Sequence, residues 1–424
     1  MSTKMTKITI TTMNKYFPIK TKTSCKLKWT WSTVFLYSNI TGSCHRTGFS
    51  NINKQNFNDF HNTEIKLQDR QSMLAGDWPE SSCVYCKEIE ESGGYSDRML
   101  QITQPNYVPK ELDYDPTAIK VTPRILEVYL NNKCNLGCLY CVDILSSAIQ
   151  KENKKYGTFE KNGVIIKPLD DSKFEDLMPE FFNWLEENCE HLERMQIEGG
   201  EPFLNAEFDS LLDFFEQKGN SNLELGIVTN LMLKEKILDR YISRFKNLLR
   251  NKKLKRLDIT CSIDCWGPQQ EYVRYGLDLE VWENNFRKLL SLPWIKLNIN
   301  QAITPLGIKT MPELIEKLNQ WKQVRQVGHF FSTAYPGPTY MMLKIFGDQE
   351  FEDDYDKILN LMSTNTEEEK KAHQYMKGIF EDCKKHPVNY TEIGKLITYL
   401  DEKDRRRETN WHSLFPWLEK YVVQ

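Results

Sequence analysis

The chain has 424 residues, and at roughly 150 residues per domain that length gives a prior of two or three domains. Hydrophobic residues make up 40% and charged residues 27%, ordinary globular usage that excludes disordered and fibrous classes. Lys plus Arg (56) nearly balance Asp plus Glu (59), so a net charge of −3 gives no global drive toward nucleic acid or an anionic membrane.

No apolar run approaches the ~18–20 residues of a membrane span, and the start MSTKMTKITITTMNKYF lacks the apolar stretch of a secretory signal. A cytoplasmic location with no membrane partner is therefore expected. Eleven cysteines, an odd count, argue in such a setting against a disulfide framework and toward metal or cluster ligation.

Residues 1–118 are rich in Asn, Thr, Ser and Lys, with one strand-like run, WSTVFLY, and a helix expected over Asn62 to Leu74. A Pro-punctuated linker, PNYVPKELDYDPTAIKVTP, leads into a different pattern. RILEVYL reads as a buried strand, and DSKFEDLMPEFFNWLEENCE as a helix capped by its leading Asp and Ser. The strands RMQIEGG, LELGIVTN, RLDITCSID, IKLNINQAIT and VGHFFSTAY then alternate with amphipathic helices. Six strands, five of them followed by helices, predict an α/β fold with a parallel sheet over 119–345. Six such units are too few to close an eight-fold barrel, so a partial (β/α)6 barrel is expected, with chemistry at the C-terminal ends of its strands. Residues 346–424 read as a helical C-terminal region, in which EKDRRRE is expected to be a solvated face.

Directly after the first core strand stands NNKCNLGCLYC, with Cys134, Cys138 and Cys141 in a C-x-x-x-C-x-x-C run. Three neighbouring thiolates underfill a tetrahedral zinc site but can hold three irons of a [4Fe–4S] cube and leave the fourth open. Later strand ends carry GGEP (Gly199, Gly200, Glu201, Pro202), VTN (ending at Asn230) and SID (Ser262 to Asp264). Alone, the glycine pair could be a tight turn, and Ser262 or Asp264 a helix cap.

Together, in this order, these segments resemble the radical S-adenosylmethionine (radical SAM) superfamily over roughly residues 120–335. The resemblance implies a [4Fe–4S] cluster on Cys134, Cys138 and Cys141, with S-adenosyl-L-methionine bound at the open iron. It further implies that Gly199, Gly200 and Glu201 meet the cofactor's methionine amine, Ser262 and Asp264 its ribose and methionine moiety, and Tyr140 the adenine. Asn230 closes the family's T-N turn, and Arg274 is a candidate for the cofactor carboxylate. Where the family often has glycine after S-x-D, this chain has Cys265, a buried hydrophobe or a hydrogen-atom donor, as Cys261 is also.

Cys83 and Cys86 form a C-x-x-C, with Cys25 and Cys44 upstream. Four thiolates suit a second, auxiliary [4Fe–4S] cluster or a zinc ion. The segment is similar to SPASM or twitch modules, although those usually follow the core. Such a cluster is expected to accept an electron from the substrate or to bind it. His45 is expected to be a loop residue, Cys189 and Cys383 structural, and His329, Tyr335 and Tyr340 packing, rim or pocket residues.

The implied activity is reductive cleavage of S-adenosylmethionine to a 5′-deoxyadenosyl radical that abstracts a hydrogen atom from a peptide or protein side chain. The implied electron donor is a protein such as flavodoxin or ferredoxin. Two alternatives stand beside it: radical modification of a small metabolite or nucleotide, and a non-catalytic zinc- or cluster-stabilised binding protein.

Overall fold

A computed structural model of the chain describes residues 21–44, 47–80, 82–91, 96, 98–99, 117–333, 338–347 and 350–422. His45 and Tyr335 lie outside them.

The strands in chain order are β1 (Trp31–Phe35), β2 (Ile40–Gly42), β3 (Ser50–Asn51), β4 (Ile125–Tyr129), β5 (Gly137–Cys138), β6 (Phe159–Lys161), β7 (Val164–Ile166), β8 (Arg194–Glu198), β9 (Glu224–Thr229), β10 (Arg256–Ser262), β11 (Arg274–Tyr275), β12 (Lys296–Ile303) and β13 (Gly328–Thr333). Nine of them form one sheet among the described residues, in the order β13-β12-β10-β9-β8-β4-β1-β2-β3. From β13 to β1 every pairing is parallel, and β2 and β3 finish the edge antiparallel.

Along β4, β8, β9, β10, β12 and β13 spatial order follows chain order. Crossovers of one hand then deliver every connecting helix to the same face of the sheet. That face is apolar: Leu126, Val128, Met195, Ile197, Leu225, Ile227, Leu257, Ile259, Leu297 and Ile299 pack with Phe181, Phe208, Phe245, Phe286 and Trp321 of the helices. The period-2 alternation turns the intervening residues to the opposite face, among them Glu127, Tyr129, Gln196, Glu198, Asp258, Thr260 and Asn298. Core strands thus bury a polar side as well as an apolar one.

The N-terminal segment belongs to the same sheet. β1 pairs with β4 from Trp31↔Ile125 to Phe35↔Tyr129, so residues expected in a separate module extend the core sheet at one edge. The helix over Glu64–Ala75 packs behind it, its Lys66 ammonium donating to Ser32 Oγ, Thr41 Oγ1 and the Phe60 carbonyl at 2.7–2.8 Å. Three neutral acceptors compensate a charge that burial alone would leave uncovered.

A second apolar cluster joins the helices Glu352–Leu361, Glu367–Lys384 and Tyr390–Arg407 around Phe346, Phe351, Tyr355 and Phe380. It meets the core domain at Leu139, Val273, Ile303 and Met311.

Three expectations change. The helix after the cysteine loop's long insertion starts at Met178, with Pro179 in its first turn and no side-chain cap, so Asp171 and Ser172 do not cap it. Asp171 instead accepts hydrogen bonds from Tyr37 and Gln150. The last segment is two short turns, Trp411–Leu414 and Pro416–Tyr421, because Pro416 cannot continue a helix. EKDRRRE is not a solvated face throughout: Glu402, Lys403, Arg406 and Arg407 are buried.

Because β1 covers the β4 edge, a chain beginning at residue 119 should expose that edge and the apolar surface beneath it. Such a truncation is expected to aggregate or lose its cooperative unfolding transition. A soluble product with a cooperative denaturant transition would show that the sheet closes without β1.

Candidate functional site

The cysteine loop begins directly after the C-terminal end of β4, and its residues are tied one by one to the neighbouring strand ends. Ser147 Oγ accepts from the Cys134 amide at 3.1 Å. The Leu136 amide (3.4 Å) and the Asn230 side-chain amide (3.6 Å) point N–H groups at Cys134 Sγ. Cys138 lies in β5, which pairs antiparallel with β11 so that Arg274 stands opposite it. The Cys141 amide donates to the Cys138 carbonyl at 3.1 Å, closing the turn between the second and third cysteines.

GGEP is read by the backbone. Gly199 (φ +82°) and Gly200 (φ +57°) occupy the left-handed region, and a Cβ on Gly200 would sit 2.3 Å from the Lys133 carbonyl oxygen. Only glycine lets this turn lie against the cysteine loop. Glu201 is fully buried, and its carboxylate accepts from Thr229 Oγ1 (2.8 Å), the Asn230 amide (2.7 Å) and the Phe203 amide (3.3 Å). Burial still pushes its pKa up to about 7. Its side chain therefore joins the second and third strand ends.

Asp264 and Arg274 are held against each other. Asp264 is fully buried and takes a bidentate pair from Arg274, Nε at 2.9 Å and Nη2 at 2.8 Å. Tyr140 Oη donates to the same carboxylate at 2.6 Å and the Ala302 amide at 2.9 Å. Arg274, expected at a cofactor carboxylate, spends its fork inside the chain and leaves Nη1 3.9 Å from Cys138 Sγ. Ser262 ends β10 on the polar face. Cys261 falls on the helix face among Ile197, Ile227 and Ile299, so it is a core hydrophobe rather than a pocket thiol. Cys265 is fully buried, 3.6 Å from Gln270 Oε1. His329 turns to the helix face and bonds Gln301 at 2.8 Å. Tyr340 packs on Tyr399.

Several residues the sequence did not flag shape this edge. Leu231 holds φ +59° immediately after Asn230, a strained conformation for leucine, and Asn285 Nδ2 donates to the carbonyls of Leu231 (3.0 Å) and Leu233 (2.9 Å). Nothing local in the sequence signals that clamp. On the polar face Tyr129 Oη donates to Glu198 at 2.9 Å, and its ring stacks on Phe35 of β1 with centroids 4.0 Å apart. Burial and the Glu127 carboxylate raise the Glu198 pKa to about 8.

The thiols are held in sulfur-binding company. Burial pushes Cys134 up to about 12 and raises Cys138 and Cys141, while Arg274 pulls Cys138 back down. The four N-terminal cysteines also come together: Cys44, Cys83 and Cys86 line one small cavity, and Cys25 packs with Cys83 beside it. After burial, the charges of Cys83, Cys44 and Cys86 all raise Cys25. Among the described residues no group of three or more His, Cys, Asp or Glu side chains is arranged to hold a metal ion. A cube takes each thiolate at a separate iron, so it asks for a wider set than one ion does.

No family model matches the chain. Over 209 residues it is 23% identical to a protein of Methanocaldococcus jannaschii described as a probable GTP 3′,8-cyclase, covering 49% of this chain and 59% of the relative. The chain thus spans less than two thirds of that relative's length. Among solved structures it is similar to Streptococcus suis SuiB (14% identity, TM-score 0.37, 76% of this chain and 65% of that one). SuiB bound to its precursor peptide SuiA gives 14% identity and TM-score 0.32, over 72% and 63%. Native anSMEcpe with AdoMet and the Kp18Cys peptide gives 19% identity and TM-score 0.33, over 56% and 59%. No helix among the described residues is long and apolar enough to cross a membrane.

The Glu198 shift carries a pH signature. An unfolded Glu loses its proton near 4.5, while the folded one keeps it until about 8. The folded state binds the extra proton between those values, so this group's contribution to stability falls as pH rises through them. Glu198→Gln, which mimics the protonated form, should flatten that part of the stability profile in denaturant melts from pH 5 to 8. An unchanged slope would mean that Glu198 ionises normally.

Proposed function

We propose that this chain is a radical SAM enzyme, with a [4Fe–4S] cluster on Cys134, Cys138 and Cys141 and S-adenosylmethionine bound beside it. The observation that carries the reading is the convergence of the three-cysteine loop, GGEP, the Thr229–Asn230 turn and Asp264 on one edge of a parallel sheet. The match to the M. jannaschii relative, itself partial, supports it.

The donor set fits the group. Three thiols leave one iron open, and N–H groups of Leu136, Asn230 and Arg274 already face their sulfurs, as the anionic sulfur of such a site requires. Bound there, the cluster supplies one-electron reduction of the sulfonium, giving methionine and a 5′-deoxyadenosyl radical that abstracts a hydrogen atom. The chain's own work is positional. Asp264 fixes Tyr140 and Arg274 against the loop, Gly199 and Gly200 admit the backbone to it, and the polar face beyond offers Tyr129, Glu198 and Thr260 to a substrate.

Cys25, Cys44, Cys83 and Cys86 hold, in this reading, a second [4Fe–4S] cluster, for which four thiols supply the full ligand count. The substrate is a peptide or protein side chain, as the auxiliary site suggests, and a flavodoxin or ferredoxin supplies the electron. A nucleotide or small metabolite is the second reading, favoured by the name of the M. jannaschii relative.

Anaerobically reconstituted, reduced protein should release 5′-deoxyadenosine from S-adenosylmethionine, and Ala at Cys134, Cys138 and Cys141 should lower release at least a hundredfold. No release from iron-replete wild type would overturn the assignment. Iron analysis separates the two sites: about eight irons per chain should fall to about four when Cys83 and Cys86 become Ala. Zinc at the N-terminal site, with about four irons remaining, would reduce it to a structural brace.

A further inference from the structure

The helix Tyr390–Arg407 lays one face along the back of the cysteine loop. Tyr399, Lys403 and Arg407, spaced at i, i+4 and i+8, share that face. Tyr399 Oη donates to the Leu139 carbonyl at 2.6 Å, inside the C-x-x-x-C-x-x-C run. Arg407 reaches further. Its Nε donates to Glu152 at 2.6 Å, and its guanidinium lies 4.7 Å from the ring centroid of Tyr275. A Cβ on Gly137, the residue before Cys138, would be 3.1 Å from Nη2.

Nη1 and Nη2 of Arg407 have no hydrogen-bond partner, although the side chain is only 3% exposed. A buried guanidinium with both terminal nitrogens unspent is costly and needs a reason. Its counter-charge is also shared, because Glu152 bonds Lys403 as well as Arg407. Two buried cations therefore face one carboxylate directly behind the cysteine loop. Arg274, on the opposite side of Cys138, is already paired with Asp264.

We infer that Arg407 is a positioning residue for the redox chemistry of the cysteine loop, its only partly compensated positive charge raising the reduction potential of the cluster held by Cys134, Cys138 and Cys141. The inference rests on the proposed cluster site. Reduction would add one negative charge to a cluster held beside this fixed cation, whose Nη2 stands next to Gly137, the residue before Cys138. Cluster potentials follow local charge and hydrogen bonds to sulfur.

The test is a redox titration of reconstituted protein, with dithionite as reductant, following the paramagnetic signal that the Cys134/Cys138/Cys141 triple Ala variant lacks. Arg407→Gln should lower the reduced-to-oxidised ratio about tenfold at the wild type's midpoint, equivalent to ~59 mV for one electron. Arg407→Lys should stay near wild type. Glu152→Gln, which removes the counter-charge, should move the midpoint the other way. If Arg407→Gln fails to take up iron, the sign of the Glu152→Gln shift decides. Unmoved midpoints, or a Glu152→Gln shift to lower potential, overturn the inference and leave Arg407 a brace. A triple Ala variant that keeps all the iron of the wild type overturns the cluster site itself, a separate result read from iron content alone.

Discussion

The buried carboxylate of Asp264 organises this edge of the molecule. It follows β10, yet its partners come from the cysteine loop (Tyr140), the strand β11 opposite Cys138 (Arg274) and the end of β12 (the Ala302 amide). A fully buried ion pair survives only when its geometry and remaining hydrogen bonds repay desolvation, and here both oxygens are doubly used. Such a pair adds little net stability compared with apolar packing. What it adds is register, since the strand ends and the loop fit Asp264 only in one mutual arrangement. Glu201 repeats the device one strand pair away, with neutral donors instead of a cation.

The sheet explains why the organisers are needed. All connecting helices lie on one face, so the opposite face must carry polar groups without helical cover. Arg194, Glu224, Arg256 and Asp258 cross-link its lower part. Higher up, Glu127, Tyr129 and Glu198 share hydrogen bonds near the cysteine loop. The C-terminal helices close the remaining side, behind the loop rather than over the polar face.

Much of this was legible in the sequence, for physical reasons. The helix AEFDSLLDFFEQ, one of the amphipathic helices expected between the strands, is observed over Ala206–Gln217 because its apolar periodicity is strong. The six core strands read as apolar or alternating runs. The helix Ser147–Tyr156 was missed because SAIQKENKKY carries few apolar residues, and the hairpin β6–β7 because its strands are only three residues each. Of the site, the residue types and their order on the strand ends were visible. The Asp264–Arg274 pairing was not, since only the fold brings β11 against β5. Likewise nothing in EKDRRRE tells buried Arg407 from half-exposed Arg405; that depends on which helix face meets the loop.

The parallel pairing of β1 with β4 fixes a distance as well as a fold. The N-terminal cysteines cluster with Trp31 and Ile125, the residues that begin those two strands. Cys134, Cys138 and Cys141 follow the other end of β4. Five residues at ~3.3 Å each put about 16 Å of hydrogen-bonded sheet between the two sets of thiols. Groups at the upper rim are therefore separated from the lower thiols by the length of a strand. The hydrogen-bonded strands hold that separation constant.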